Sequence, residues 1–182
     1  MKRSLYFLFF LILVTSLIVG CSTQKVTSKM YYIEENGKKD YLDEENKDVV
    51  ELLALIEAYE KVENDYDYRT VDKTARYPYV TERYKNFKET GRWEEDIKCG
   101  KICMKWCNFE MNYIKFDESL QEAEADYLTC FTVKECGCLE ERGFEDGATY
   151  QAPITLQAKK EDGKWKVDDY TFTSKNAKKI KN

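Results

Sequence analysis

The side-chain periodicity switches once along this chain, and that switch constrains the fold more than any other feature. Between about residues 48 and 90 apolar residues recur at helical spacing, and beyond residue 104 they alternate as strands do. Val49, Leu52, Leu53, Ile56, Tyr59 and Val62 make one apolar helix face, and Asp48 with Glu51 three residues later reads as a capping-box-like start. A second helix is expected between Pro78 and Thr90. Pro78 suits its first turn, Gly91 suits the position past its end, and Val80, Tyr84 and Phe87 share a face. Residues 104–116, 125–133, 150–159 and 164–173 then read as strands. Turn signals lie at 142–147 and 161–164. The second places Asp162-Gly163 between apolar runs, a strong hairpin cue, and puts Trp165 and Val167 on one face. Helices first and a strand meander after them argue for an α+β fold, with the helices on one face of an antiparallel sheet.

Two N-terminal helices, a four-stranded meander and the closing run Leu156-Gln157-Ala158-Lys159-Lys160-Glu161-Asp162-Gly163-Lys164-Trp165-Lys166-Val167-Asp168-Asp169 resemble the nuclear transport factor 2-like superfamily. The resemblance covers residues 48–173 in outline and only the final hairpin residue by residue. It implies N-terminal helices packed on a curved antiparallel four-stranded meander, a nuclear transport factor 2-like (cystatin-like) cone with an open-ended pocket. Members include enzymes, binding proteins and assembly modules, so the likeness leaves activity open. No catalytic motif of the superfamily falls on these positions, and no catalytic residue is carried across.

The N-terminus sets the compartment. Residues 5–20 are almost wholly apolar, broken only by Thr15 and Ser16, and follow Lys2 and Arg3. A spanning helix needs roughly 20 apolar residues, so the shorter run reads as a cleaved signal peptide over residues 1–20. Ile18-Val19-Gly20-Cys21 resembles the signal-peptide end of bacterial lipoproteins. That resemblance implies cleavage before Cys21, lipidation of its thiol with at least a diacyl group, and a membrane-anchored protein on the extracytoplasmic face. Two acyl chains suffice for stable anchoring where one does not. Residues 21–47 read as the lipidated N-terminus and a polar tether, with Met30–Ile33 as a candidate early strand. Residues 48–174 form the α+β domain, and 175–182 a basic tail carrying Lys175, Lys178, Lys179 and Lys181.

Removing residues 1–20 takes away Lys2 and Arg3 and leaves 162 residues with 27 basic and 34 acidic side chains, a formal charge of −7. That is enough chain for one domain with a real core. The acidic balance argues against nucleic acid as a partner. An unknown small-molecule or protein ligand remains.

Six cysteines follow Cys21, in two clusters: Cys99, Cys103 and Cys107, then Cys130, Cys136 and Cys138. An even number in an exported domain argues for disulfides. The first three are spaced by four and share a face in either helix or strand. Adjacent members would lie roughly 13 Å apart in a strand, too far for a bridge, and would be poorly aimed in a helix. Cross-cluster pairing is therefore expected, with the connectivity open, and free thiols or a zinc site are the alternatives.

The chain has no histidine. That removes the usual Ser-His-Asp and Cys-His nucleophile arrangements and His-based metal sites. Acid–base work would fall to carboxylates such as Asp126, Asp168 and Asp169, on or beside expected strands, where a pocket could raise a pKa. Of 14 tyrosines, Tyr59, Tyr66, Tyr68, Tyr77, Tyr79 and Tyr84 cluster around the helices, where Tyr serves either a core or a recognition surface. No cofactor motif is present. The expectation is a non-catalytic ligand-binding or protein-interaction module. A carboxylate-dependent enzyme in the cone pocket and a cysteine-based redox or metal-responsive protein are the alternatives.

Overall fold

Among the described residues of the computed structural model, 29–172 and 174–180, one curved mixed sheet wraps around a long helix. The signal segment 1–20, Cys21, residues 22–28 and Lys181 lie outside the described residues. The strands are β1 (Tyr31–Glu35), β2 (Lys38–Tyr41), β3 (Tyr66–Asp67), β4 (Cys103–Phe116), β5 (Glu122–Glu135), β6 (Thr149–Glu161), β7 (Lys164–Phe172) and β8 (Lys178–Ile180). The helices are α1 (Lys47–Asn64), α2 (Glu82–Thr90) and α3 (Trp93–Gly100). The main sheet order is β2-β1-β4-β5-β6-β7, with β3 on β4 and β8 on β6. Pairing is antiparallel except between β1 and β4, which run parallel. The fold is α+β.

The expected meander is β4–β7, and it forms because each strand presents alternate apolar residues to one side. On β5 the inward set is Ala123, Ala125, Tyr127, Thr129, Phe131 and Val133, all buried. Ala123, Ala125 and Tyr127 meet Val49, Leu52, Leu55, Ile56 and Tyr59 of α1 in the main core, while Phe131 and Val133 join a second apolar cluster with Ile97, Met104 and Phe144. At ~1.5–3 kcal/mol per fully buried large apolar side chain, this face is the main force holding α1 to the sheet. Register shifts in β4 at Cys103/Met104, Trp106/Asn108 and Met111/Tyr113, and in β6 at Gln157/Ala158, bend the strands around the helix.

Three local expectations are corrected. Asn46, not Asp48, caps α1 and accepts from the Asp48 N–H at 2.9 Å. The Asp48 carboxylate instead accepts from the Trp165 indole at 3.0 Å, tying the helix start to the final hairpin. The single helix expected between Pro78 and Thr90 is two pieces. A 3-10 turn, Lys73–Tyr79, contains Pro78, and α2 starts afresh behind the N-cap Thr81. Val80 between them is extended because it bridges to Val167 of β7. Phe87 does not share the buried face of Val80 and Tyr84; it is exposed and stacks on Tyr84 at 6.0 Å.

The sheet is also larger than a four-stranded meander. The stretch given to a tether contains the β1–β2 hairpin, turned by Asn36-Gly37 with φ of 49° and 77°. Both residues are left-handed, the conformation a two-residue hairpin turn requires. Asp162-Gly163 repeats the device between β6 and β7, at φ of 52° and 73°. In the basic tail, residues 178–180 form β8, and Lys179 reaches Glu145 at 2.7 Å.

Candidate functional site

The last turn of α1 carries polar residues where its apolar stripe would continue. Glu60, Glu63 and Asn64 follow Ile56 and Tyr59 on the inward face, and all three are buried. Glu63 and Asn64 form part of the wall of a cavity of about 390 Å³, and Glu60 lies behind Asn64. Met104, Phe131, Phe144 and Phe172 supply the apolar floor, while Trp93 and Ile97 of α3 stand on one side. Leu139 and Arg142 of the β5–β6 connection, which packs on α3, form the lip, and Lys88 reaches in from α2.

Two buried polar assemblies back this cavity. In the first, Glu60 is fully buried and accepts from the Tyr127 hydroxyl at 2.6 Å, the Thr129 hydroxyl at 2.5 Å and the Asn64 amide at 2.8 Å. Asn64 also donates to the Tyr170 hydroxyl at 3.0 Å. Burial pushes the Glu60 carboxyl above the ordinary glutamate range, and the hydrogen bonds offset this only in part. Burial likewise raises Tyr127 and Tyr170, with the Glu60 charge adding to it.

In the second assembly, Glu63 sits between two cations. Arg76 Nη1 approaches Glu63 Oε2 at 3.2 Å, and Lys88 Nζ approaches Oε1 at 3.5 Å. The Arg76 side chain is only 2% exposed, and its guanidinium lies 3.5 Å from the centroid of the Trp93 ring. Arg76 Nη2 has no hydrogen-bond partner, so the pair is held by charge and stacking more than by directed bonds.

The carboxylates singled out from sequence do not reach this cavity. Asp126 lies on the outer side of β5 and accepts from Asn112 at 2.6 Å. Asp168 is buried but bonded to the Thr81 hydroxyl at 2.8 Å and to Arg83 Nε at 3.0 Å. Burial raises its pKa, and the Arg83 and Thr81 bonds overcome this to hold it below the usual range. Asp169 is exposed. Of the helix-region tyrosines only Tyr66 lines the cavity, while Tyr59 and Tyr84 belong to the core. Sequence reasoning missed Glu60, Glu63, Asn64, Arg76 and Lys88. The available signal was the run of polar residues continuing the α1 stripe.

The cysteines do not share a face in threes, because the helix–strand boundary falls within the first cluster. Cys99 is on α3, Cys103 opens β4 and Cys107 lies at a bulge within β4. All six are free thiols in this structure. The fold nevertheless brings the clusters together. Gly137, at φ of 50°, packs so tightly on the Gly100 carbonyl that a Cβ there would lie 1.8 Å from its oxygen. A Cβ on Gly100 would in turn meet the Cys138 sulfur at 2.6 Å. The Cys136 N–H donates to the Asp146 carboxylate at 2.7 Å. Among the described residues no three acidic or cysteine side chains converge on a point where a metal ion would sit.

No family model matches the sequence, and no curated protein matches it. One solved structure, the intermembrane space region of the chloroplast protein ARC6, is similar with a TM-score of 0.49 and 9% sequence identity. The likeness covers 66% of this chain and 92% of that one. Likeness at that level fixes neither fold nor role.

Proposed function

We propose that this chain is a lipid-anchored extracytoplasmic module with a nuclear transport factor 2-like cone, and that it binds an amphipathic ligand in the cavity without catalysing a reaction. The observation that carries the binding reading is the state of the buried acids in and behind the cavity. Glu63 is committed to Arg76 and Lys88, and Glu60 is saturated by three donors behind Asn64. A catalytic carboxylate needs reach to the substrate and a free proton site. Glu63 lacks the free site and Glu60, behind Asn64, lacks the reach, while Asp96, the other acid of the lining, stands exposed on α3 outside the buried polar assemblies. What is open is apolar surface framed by a few polar groups, the usual composition of a ligand pocket.

The anchor rests on Ile18-Val19-Gly20-Cys21 and the apolar run before it. No helix among the described residues is long and apolar enough to cross a membrane.

Each half has its own experiment. The full chain in detergent is titrated with anilinonaphthalene sulfonate, an apolar anionic dye, while dye and tryptophan fluorescence are followed. Saturable single-site binding is expected, weakened at least about tenfold by Leu139→Asp at the half-buried lip. Absent binding, or binding indifferent to that change, removes the cavity reading. For the anchor, Cys21→Ser should move the protein from the membrane fraction to the soluble one, and a protein that stays behind overturns it.

A further inference from the structure

We propose that Cys107 and Cys130 form a thiol–disulfide exchange pair on the outer face of the sheet, with Cys107 attacking and Cys130 resolving. The proposal stands apart from the cavity and does not depend on it.

The β4–β5 register places the two together. Trp106 pairs with Phe131 and Asn108 with Cys130, so Cys107 is the extra residue of a bulge. A bulge sets two residues of one strand against one of its partner, here Cys107 and Asn108 against Cys130. Opposed residues of an antiparallel pair lie roughly 4.5–5.5 Å apart at Cα. A disulfide accepts about 4.4–6.8 Å. Cys107 adjoins the register partner of Cys130, so the strand spacing there is of the order a bridge needs.

The side chains agree with the backbone. Cys107 Sγ lies 3.5 Å from the Thr132 hydroxyl, two residues from Cys130 and on the same outer side of β5. The Cys107 thiol lies close enough for its charge to act on Cys130. The Cys138 sulfur, by contrast, packs against the Gly100 backbone.

The two thiols differ in the way an exchange pair requires. Cys107 is exposed, whereas Cys130 is buried. Burial, followed by the Cys107 charge, pushes the Cys130 thiol up to about 11. Cys130 is thus protected from direct attack by an outside disulfide, and it becomes a nucleophile only once a sulfur bond has formed beside it.

The oxidant is a low-molecular-weight disulfide, R–S–S–R. The Cys107 thiol loses its proton to solvent and its sulfur attacks one sulfur of R–S–S–R. The S–S bond breaks, one RS⁻ leaves and takes up a proton, and a Cys107–S–S–R mixed disulfide remains. Cys130 then loses its proton and attacks the Cys107 sulfur, expelling the second RS⁻, which is protonated in turn. Two protein thiols become one disulfide, and two electrons and two protons end on two RSH.

The test uses the full reduced chain in detergent, exposed to oxidised glutathione, quenched with acid, alkylated and digested with trypsin. Cleavage after Lys105, Lys115 and Lys134 puts Cys107 and Cys130 in separate peptides, 106–115 and 116–134, each holding one cysteine. The expected product is these two peptides joined by a disulfide. Cys130→Ser should stop at a glutathione adduct on Cys107. Cys107→Ser should leave Cys130 modified at least about tenfold more slowly than Cys107 is in Cys130→Ser. Absence of the joined peptide, Cys107 joined instead to the 135–142 peptide, or equal modification of Cys130 in Cys107→Ser overturns the proposal. The wild-type peptide map decides the pairing even if a variant fails to fold.

Discussion

Replacing Arg76 by Met should expose how much of this domain hangs on one buried charge pair. The Arg76 side chain is 2% exposed and that of Glu63 is 8% exposed. Removing the guanidinium leaves a buried carboxylate, a change that costs about 3–5 kcal/mol when nothing else compensates. Lys88 still holds the other Glu63 oxygen at 3.5 Å, which favours the lower end. The stacking on Trp93 is lost too, but a Met thioether regains part of it by its own contact with the ring. The expected loss is about 3 kcal/mol, or roughly 6–12 °C in Tm for a domain of this size.

Glu63→Met should cost a similar amount, because it strands Arg76. The double variant should lie within about 1 kcal/mol of the wild type, since the pair makes no well-directed hydrogen bond through Arg76 Nη2 or Glu63 Oε2. Lys88, freed of its partner, is partly exposed and can turn to water. Urea unfolding followed by tryptophan fluorescence gives all four corners of the cycle. If Arg76→Met loses less than about 1 kcal/mol, or the two single losses simply add, the buried-pair argument fails.

Three further outcomes follow from other parts of the fold. Glu60 has a raised pKa in the folded state, so its titration contributes stability that is fully present below the unfolded value and lost as pH rises through the folded one. The stability difference between wild type and Glu60→Gln, measured by urea unfolding from pH 4 to 8, should therefore shift against the wild type as pH rises; a flat difference refutes this. Leu52→Ala removes a side chain with 0% exposure from the helix–sheet core and should cost about 2–5 kcal/mol by the same assay, and a loss under 1 kcal/mol would place Leu52 at a yielding site. Gly137→Ala should lower Tm clearly more than Gly147→Ala. Both glycines have positive φ, but only the first meets backbone, while nothing lies within 4 Å of a Cβ at Gly147. Equal Tm losses would mean that the Gly100–Gly137 contact relaxes easily.

Periodicity made the β4–β7 meander legible, because a sheet with one buried face forces alternation on every strand. The expected strands agree with the observed ones to within a few residues. The Asp162-Gly163 turn was legible for a separate local reason, since a left-handed pair is demanded wherever two strands join so tightly. Asn36-Gly37 carries the same signal and marks the β1–β2 hairpin, within a stretch whose charge had suggested a tether. Helix α3 was not legible: Trp93–Gly100 is short and offers one deeply buried side chain, Ile97, too little for a periodic face. The second helix was misjudged because Pro78 fits a 3-10 turn as well as a helix start, and only the bridge from Val80 to Val167 separates them.

What the sequence determined by itself is local: element type, two tight turns, an acidic net charge, and two clusters of three cysteines. What only the tertiary structure decided is which distant side chains meet. Glu63 and Arg76 come from a helix and a 3-10 turn and meet at 3.2 Å, while Cys107 and Cys130 become neighbours through the β4–β5 register. Register and helix docking are set by the summed burial of many apolar residues across the whole sheet. No short window of sequence holds that sum, so the partners of a buried charge or a thiol appear only when the chain is packed.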